Sequence, residues 1–224
     1  MFESSWPHNK YEPQPILMAV NIKLDEPIAL IAAGEFCNSL AKELSQYPTL
    51  VAIDGGMNHL KKLNITPHLI VGDLDSIEHY DSSIETWKLD IHKDHSDLEI
   101  AIMRLFEAGA HSLNIYGALG GRADHALYNL RLACQYAGQI ILVTPKQTIR
   151  ALKKNYSKRL AVGKTISLMP LIDSVTNVKT NGLKWPLNGQ NLSASFCSLS
   201  NVTSAEEYSI TFDQGTPLLF EEKN

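Results

Sequence analysis

Between residues 27 and 144, short apolar runs alternate with stretches whose apolar residues recur at helical spacing. The runs at 28–32, 50–53, 69–71, 87–91, 113–116 and 140–143 read as strands, each bounded by turn-forming residues. Stretches at 35–45, 57–63, 97–108 and 124–137 read as the intervening helices. Six strands joined this way predict a doubly wound, mainly parallel sheet with flanking helices. The helix after Ser96 is the best specified. Ser96 and Glu99 form a Ser-x-x-Glu capping box, Leu98, Ala101, Ile102, Leu105 and Phe106 repeat on one face, and Gly109 supplies a stop. The following helix is expected to bury Leu127, Leu130, Cys134 and Ala137 and to end at Gly138.

After Pro145 the period changes. Alternating runs at 165–169, 175–180, 192–196 and 208–212 are separated by Gly, Asn, Asp and Pro turns, with no helical pattern between them. Residues 145–224 therefore read as an all-β sandwich following the α/β domain of residues 27–144. Residues 1–26 carry little apolar pattern and three prolines by residue 15, and read as a loosely ordered or peripheral leader.

Composition narrows the function. An apolar fraction of 44% suffices for a packed core. A net charge of −4 without a dense Lys/Arg block argues against nucleic acid or an anionic membrane as partner. The start, Met-Phe-Glu-Ser-Ser-Trp-Pro-His, lacks the cationic and apolar pattern of a secretory signal, so a cytoplasmic location is expected. Cys37, Cys134 and Cys197 are widely spaced, which suggests buried reduced thiols rather than a disulfide framework or a zinc site.

Candidate chemistry gathers where strands give way to loops. Asp73 and Asp75 follow a strand in Gly-Asp-Leu-Asp-Ser, Asp97 follows Lys-Asp-His-Ser, and Asp124 closes Gly-Gly-Arg-Ala-Asp-His. Such loops converge on one edge of a parallel sheet. Two carboxylates about 4 Å apart repel by roughly 4 kcal/mol at an effective dielectric near 20, so a cluster of four calls for a cation. Magnesium fits, and it usually completes its shell with water and substrate phosphates, which points to nucleotide phosphate chemistry. Each motif has a plainer reading as a turn or a helix cap.

Lys93 and Ser96 sit beside Asp97 at a helix start, where unpaired amides favour phosphate. Gly120 and Gly121 let backbone approach a ligand, and the planar fork of Arg122 suits phosphate oxygens. Asp54-Gly55-Gly56 reads as a turn that could meet a sugar or phosphate. Gly163-Lys164-Thr165 resembles a P-loop tail but lacks the earlier glycine, since Lys158 stands in its place. Trp185, with Ser198, Ser200 and Asn201, offers an aromatic face beside hydroxyl and amide groups, suited to a flat or cationic heterocycle; a core tryptophan and a turn are the plainer reading.

In their order, Asp-Gly-Gly, Gly-Asp-Leu-Asp-Ser, Lys-Asp-His-Ser-Asp-Leu-Glu and Gly-Ala-Leu-Gly-Gly-Arg-Ala-Asp-His-x-Leu-x-Asn resemble the motif set of thiamine pyrophosphokinases. Gly182-Leu-Lys-Trp185-Pro-Leu, Ser198-Leu-Ser200-Asn201 and Pro217-Leu-Leu-Phe220 extend the resemblance through the β-domain. Ser96 stands where threonine is commoner, and Leu74 where phenylalanine often stands. The resemblance implies transfer of pyrophosphate from ATP to thiamine with magnesium, in a homodimer holding thiamine near the subunit interface. It further implies that Asp73, Asp75, Asp97 and Asp124 bind magnesium or orient the reacting groups. Arg122 would meet phosphate, and Trp185, Ser200 and Asn201 would contact thiamine, with Ser198 a weaker match. Three other readings stay open on the residues: a pterin-alcohol pyrophosphokinase, a phosphohydrolase with Asp73 as nucleophile, and a nucleotide-binding module without chemistry.

Overall fold

The computed structural model describes residues 24–77, 79–90 and 94–223, so the leader up to residue 23, together with Lys93 and the last residue of the expected strand 87–91, lies outside the described residues. Six parallel strands form the expected sheet: β1 (Ile28–Ile31), β2 (Thr49–Ile53), β3 (Leu69–Gly72), β4 (Glu85–Lys88), β5 (Leu113–Tyr116) and β6 (Ile140–Val143). Their order is β4-β3-β2-β1-β5-β6, so chain direction across the sheet reverses between β1 and β5. Strands β1 to β3 are buried at every position, as a parallel sheet covered on both faces requires.

Alternate residues feed two cores. Ile28, Leu30, Val51, Ile53, Leu69 and Val71 pack with helices α3 (Asp97–Glu107) and α4 (Ala123–Gln135). Ala29, Ile31, Leu50, Ala52 and Ile70 face the other way, onto α1 (Ala41–Leu44) and α2 (Gly56–Lys62). One-residue alternation thus places two helices on each side of the sheet.

Strands from the C-terminal half continue this sheet. An antiparallel extension, in the order β6-β7-β14-β9-β12, comprises β7 (Gln147–Ala151), β9 (Thr165–Pro170), β12 (Ser198–Val202) and β14 (Pro217–Glu222). A second sheet, β11-β10-β13-β8, is built from β8 (Tyr156–Arg159), β10 (Val175–Asn181), β11 (Asn188–Leu192) and β13 (Glu207–Thr211). Leu152, Ile166, Leu168, Val178, Leu192, Ile210 and Leu219 fill the space between the sheets. The all-β character expected after Pro145 is present, and no helix follows β6 among the described residues.

Three local expectations give way. Helix 35–45 shrinks to a 3-10 turn, Asn38–Leu40, and the single turn α1, because the amides of Gly34 and Glu35 donate across to the carbonyls of Gly117 and Leu119. The strand expected at 192–196 ends at Leu192, since Ser193 and Phe196 exchange backbone hydrogen bonds in a tight turn. In α4 the buried face is Asn129, Leu132, Ala133 and Cys134, whereas Leu127 points to solvent.

Glu221 joins the two sheets through charge. It is 1% exposed on β14, accepts a 2.5 Å hydrogen bond from the Tyr208 hydroxyl of β13, and lies 3.1 Å from Lys158 Nζ of β8 and 3.5 Å from Arg150 Nε of β7. Burial, with the Glu221 charge beside it, holds the Tyr208 phenol far above its ordinary range and keeps it a donor. Replacing Glu221 by Ala leaves two cations facing a buried void, and should destabilise the protein by about 3–5 kcal/mol in urea unfolding. A loss below about 1 kcal/mol would show that the pair is screened rather than buried.

Candidate active site

The reversal between β1 and β5 opens a cleft of about 410 Å³ at the C-terminal ends of the parallel strands. Open α/β sheets place ligands at this position, and the volume falls in the range of about 300 to 1,000 Å³ typical of small-molecule sites. Its floor is made by chain segments that nearly touch. Ala32 N donates to Tyr116 O at 2.8 Å, and Gly34 N donates to Gly117 O at 2.8 Å. A Cβ on Gly34 would lie 2.4 Å from two carbonyl oxygens, so only glycine permits this approach. His59 of α2 reaches the same loop, its Nε2 standing 3.0 Å from Gly34 O while its ring stacks on Phe36.

Three carboxylates meet beside this floor. Asp54 ends β2, Asp73 follows β3, and one oxygen from each of Asp54, Asp73 and Asp75 lies within 4.8 Å of the others. Leu74 between the last two adopts a left-handed turn at φ 71°, a conformation costing about 1–3 kcal/mol in a residue with a Cβ. The turn brings Asp75 N to 3.3 Å from Asp73 Oδ1, and Asn58 of α2 anchors the loop by donating to Ser76 O at 2.8 Å. Asp54 Oδ1 is buried and has no hydrogen-bond partner. A buried anionic oxygen between two further carboxylates is a donor set for a hard divalent cation, so these residues fit magnesium.

The other wall comes from the helix starts. Ser96 caps α3 by accepting from Glu99 N at 3.2 Å, and Asp97 begins the helix, both residues lining the cleft. The reciprocal half of the capping box is absent, because the Glu99 carboxylate turns instead to Tyr128 and, at 3.7 Å, Arg131 of α4. His95 Nδ1 stands 3.0 Å from it as well. Asn129 of α4, which lines the cleft, donates to Ala118 O at 2.7 Å and fixes α4 against the loop after β5.

Gly120, Gly121 and Arg122 form the rim. The Arg122 guanidinium makes two hydrogen bonds to Asp124, of 3.1 and 2.6 Å, with both side chains well exposed. Arg122, then the His125 amide, pull the Asp124 carboxyl down to about 2. The structure therefore brings Asp54 together with Asp73 and Asp75, lines the cleft with Asp54 and Asp97 but not with Asp73 or Asp75 themselves, and engages Asp124 with Arg122. Gly55 and Gly56 shape the turn into α2, where a Cβ on Gly56 would lie 1.9 Å from Ile31 O.

Trp185, Ser198, Ser200 and Asn201 do not line this cleft. They group at the outer strand β12 of the large sheet, to which Trp185, 55% exposed, is tied through Asn201. Asn201 is buried, and its amide both accepts from Trp185 N at 3.1 Å and donates to Trp185 O at 2.6 Å. Ser200 takes a left-handed φ of 55° and donates its amide to Ser167 Oγ at 2.9 Å. Lys184 Nζ stands 4.7 Å from the Trp185 ring centroid. Gly34 and His59 carry little signal in the sequence beyond the Ala-Ala-Gly that follows the first strand, whereas Asn129 is the Asn that closes the Gly-Gly-Arg-Ala-Asp-His-x-Leu-x-Asn motif.

Residues 40–144 match the family model described as the thiamin pyrophosphokinase catalytic domain, and residues 148–216 match that family's vitamin B1 binding domain. The thiamine pyrophosphokinase of Bacillus subtilis is 30% identical over 183 residues, covering 72% of this chain and 81% of the relative. Thiamine pyrophosphokinase 1 of Oryza sativa subsp. japonica is 27% identical over 176 residues, covering 68% of this chain, which spans 65% of the rice relative's length. Among solved structures, the Bacillus subtilis thiamine pyrophosphokinase superposes with a TM-score of 0.77 at 22% identity, covering 88% of this chain and 99% of that one. Thiamin pyrophosphokinase from Candida albicans superposes at 0.76 with 17% identity, covering 88% of each chain. These likenesses extend the fold well beyond close sequence kinship.

Two outcomes check the geometry. In metal-free buffer, Asp54→Asn removes one of three crowded charges and should raise stability by about 1 kcal/mol. The same variant should forfeit most of the magnesium-dependent rise in Tm, which for the unaltered protein is worth about 1.4 kcal/mol at ten times Kd. An undiminished magnesium response would place the ion elsewhere. Separately, carboxyl NMR should find Asp124 titrating near 2, rising toward the ordinary value of about 3.9 in Arg122→Ala. Because the folded pKa is depressed, the pair's stabilising effect is present above the unfolded pKa and lost as pH falls through the folded one.

Proposed function

Because this chain belongs to the thiamine pyrophosphokinase family, we propose that it transfers pyrophosphate from ATP to the hydroxyl of thiamine, giving thiamine diphosphate and AMP. The observation that carries this reading is the carboxylate cluster after β2 and β3, whose Asp54 lines the switch-point cleft together with Asp97. Asp54, Asp73 and Asp75 would hold magnesium, which neutralises charge on the phosphate oxygens of bound ATP. Gly120, Gly121 and Ser96 shape the wall against which the phosphates lie. Arg122, at the mouth, exchanges its carboxylate partner for phosphate oxygens when nucleotide enters.

The thiamine oxygen forms a bond to the β-phosphorus while the bond from that phosphorus to the α,β-bridging oxygen breaks. AMP leaves with the electron pair of that oxygen, and the hydroxyl proton passes to an aspartate. We assign that role to Asp97, which lines the cleft, rather than to Asp124, whose low pKa and partner make it a poor base. Positioning and electrostatics supply the catalysis, so the cleft's rigid floor matters as much as its charges.

Thiamine is a cation, and Trp185 presents an exposed aromatic face already visited by Lys184 Nζ. In this reading the thiamine ring displaces that ammonium, Ser198 and Ser200 lie beside it, and Asn201 acts by holding the Trp185 backbone. Since this face and the cleft belong to different regions of one chain, the reading includes a homodimer that completes each site from both copies. Residues 27–144 would handle ATP and residues 145–224 thiamine and dimerisation. No helix among the described residues is long and apolar enough to cross a membrane. The three cysteines are free thiols, in keeping with the reducing cytoplasm we infer as the enzyme's location.

Incubation with ATP, magnesium and thiamine should yield AMP and thiamine diphosphate in equal amounts by chromatography. Asp73→Asn should lower turnover by about a thousandfold with unchanged circular dichroism. Release of inorganic phosphate without AMP would refute the transfer and favour hydrolysis through Asp73.

A further inference from the structure

A second cavity, of about 690 Å³, opens at the opposite ends of the same strands. Ser112 and Gln139, which immediately precede β5 and β6, line it, whereas the carboxylate cleft follows the C-terminal ends of β1, β2 and β5. The two cavities share no lining residue. The reaction proposed above uses none of this second cavity.

Its charge is one-sided. Arg150, Lys153 and Lys154 line it, and no carboxylate does. Among the described residues, the acid paired with this group is Glu221, which lies near both Arg150 and Lys158, so one carboxylate answers two cations. Lys153 and Lys154 are exposed, and neither has an ion-pair partner among the described residues. Arg150 Nε is buried without a hydrogen-bond partner, its 3.5 Å approach to Glu221 being electrostatic only. Cations gathered round a concavity in excess of their counter-charge repel one another unless an anion joins them.

Besides Ser112, Gln139 and Asn155, the remainder of the wall is mainly apolar. Ile140 and Leu152 line the cavity, and the Tyr156 ring stands 5.6 Å from the Arg150 guanidinium carbon. A concave apolar surface with a few convergent charges is the usual form of a small-molecule site. Three cations lining one cavity suit a dianion better than a single carboxylate. The Tyr156 ring beside Arg150 suits a ring attached to it.

We propose that this cavity binds a small organic phosphate, its phosphoryl group held by Lys153, Lys154 and Arg150 and its ring against Tyr156. The site joins β6, β7 and the connection into β8, where the chain passes from the large sheet to the small one. Occupancy there does not compete with nucleotide in the carboxylate cleft, because the two lie at opposite strand ends. This inference stands whether or not the proposed transfer reaction is correct.

Phenyl phosphate titrated into the full chain without magnesium, followed by calorimetry, tests the site. Saturable binding is expected, weakened about tenfold in the double variant Lys153→Ala/Lys154→Ala and unaltered in Asp73→Asn. Benzoate, with the ring but one charge, should bind more weakly than phenyl phosphate. Both lysines are exposed, so the double variant should keep its urea midpoint, which confirms that a lost signal is not lost fold. The proposal is overturned by absence of binding up to about 10 mM, by equal affinity in the double variant, or by loss of binding in Asp73→Asn.

Discussion

The close apposition of the loops leaving β1 and β5 is the constraint from which the cleft follows. Here the ladder between the two strands does not stop at Ile31 but continues through Ala32, Gly34 and Glu35, whose amides reach the carbonyls of Tyr116, Gly117 and Leu119. Backbone pairing past the strand end is possible only where no side chain intervenes, and Gly34 and Gly117 meet that demand on both sides. The direction of the sheet reverses at this pair, so the loops separate beyond it and leave a concavity. Had either loop carried a Cβ at these points, the floor would stand further apart and the helix starts would lose their fixed relation to the carboxylates.

Charge is then arranged on that rigid base. Asp54, Asp73 and Asp75 crowd one wall, where folding alone would disfavour them. Backbone geometry shapes their loop: the left-handed Leu74 brings the Asp75 amide to Asp73, and Asn58 pins the loop beyond it. The opposite wall is ordered by the buried Glu99, which leaves its capping role to tie α3 to Tyr128 and Arg131 of α4. Asp97 is thereby placed by a carboxylate that touches nothing in the cleft. Local instability at the carboxylates and local overdetermination around them are two sides of one design, in which binding energy rather than folding energy resolves the repulsion.

Much of this was legible in the sequence. Two periodicities, 2.0 and 3.6, separated strands from helices from residue 28 to residue 143, and the Ser96 cap marked the start of α3 to the residue. What escaped was set by contacts distant along the chain. The expected helix at 35–45 had adequate local pattern, yet its first amides were drawn to residues more than eighty positions away. Leu127 matched a helical face by spacing but lies on the side of α4 that no strand covers. Asp54 read as a turn that could meet a sugar or phosphate but not as a member of the carboxylate cluster, because its partners follow the next strand and only the pairing of β2 with β3 brings their ends together. Strand adjacency is a tertiary fact, and single-chain patterns do not encode it.

The C-terminal half shows how the same sheet serves a second purpose. By adding β7, β14, β9 and β12 in antiparallel order, the chain extends a nucleotide-type sheet into one wall of a sandwich. Packing stress transmitted along such a sheet crosses from one half to the other without a flexible linker. The sandwich is closed by Glu221 as well as by apolar packing, so its two sheets are registered by directed bonds at one point. Trp185 sits at the far edge of this continuous body, held by Asn201 as firmly as the carboxylates are held by their loops. The cleft and the Trp185 face lie on different parts of one continuous sheet, so the transfer proposed above, which uses both, goes together with the proposed homodimer.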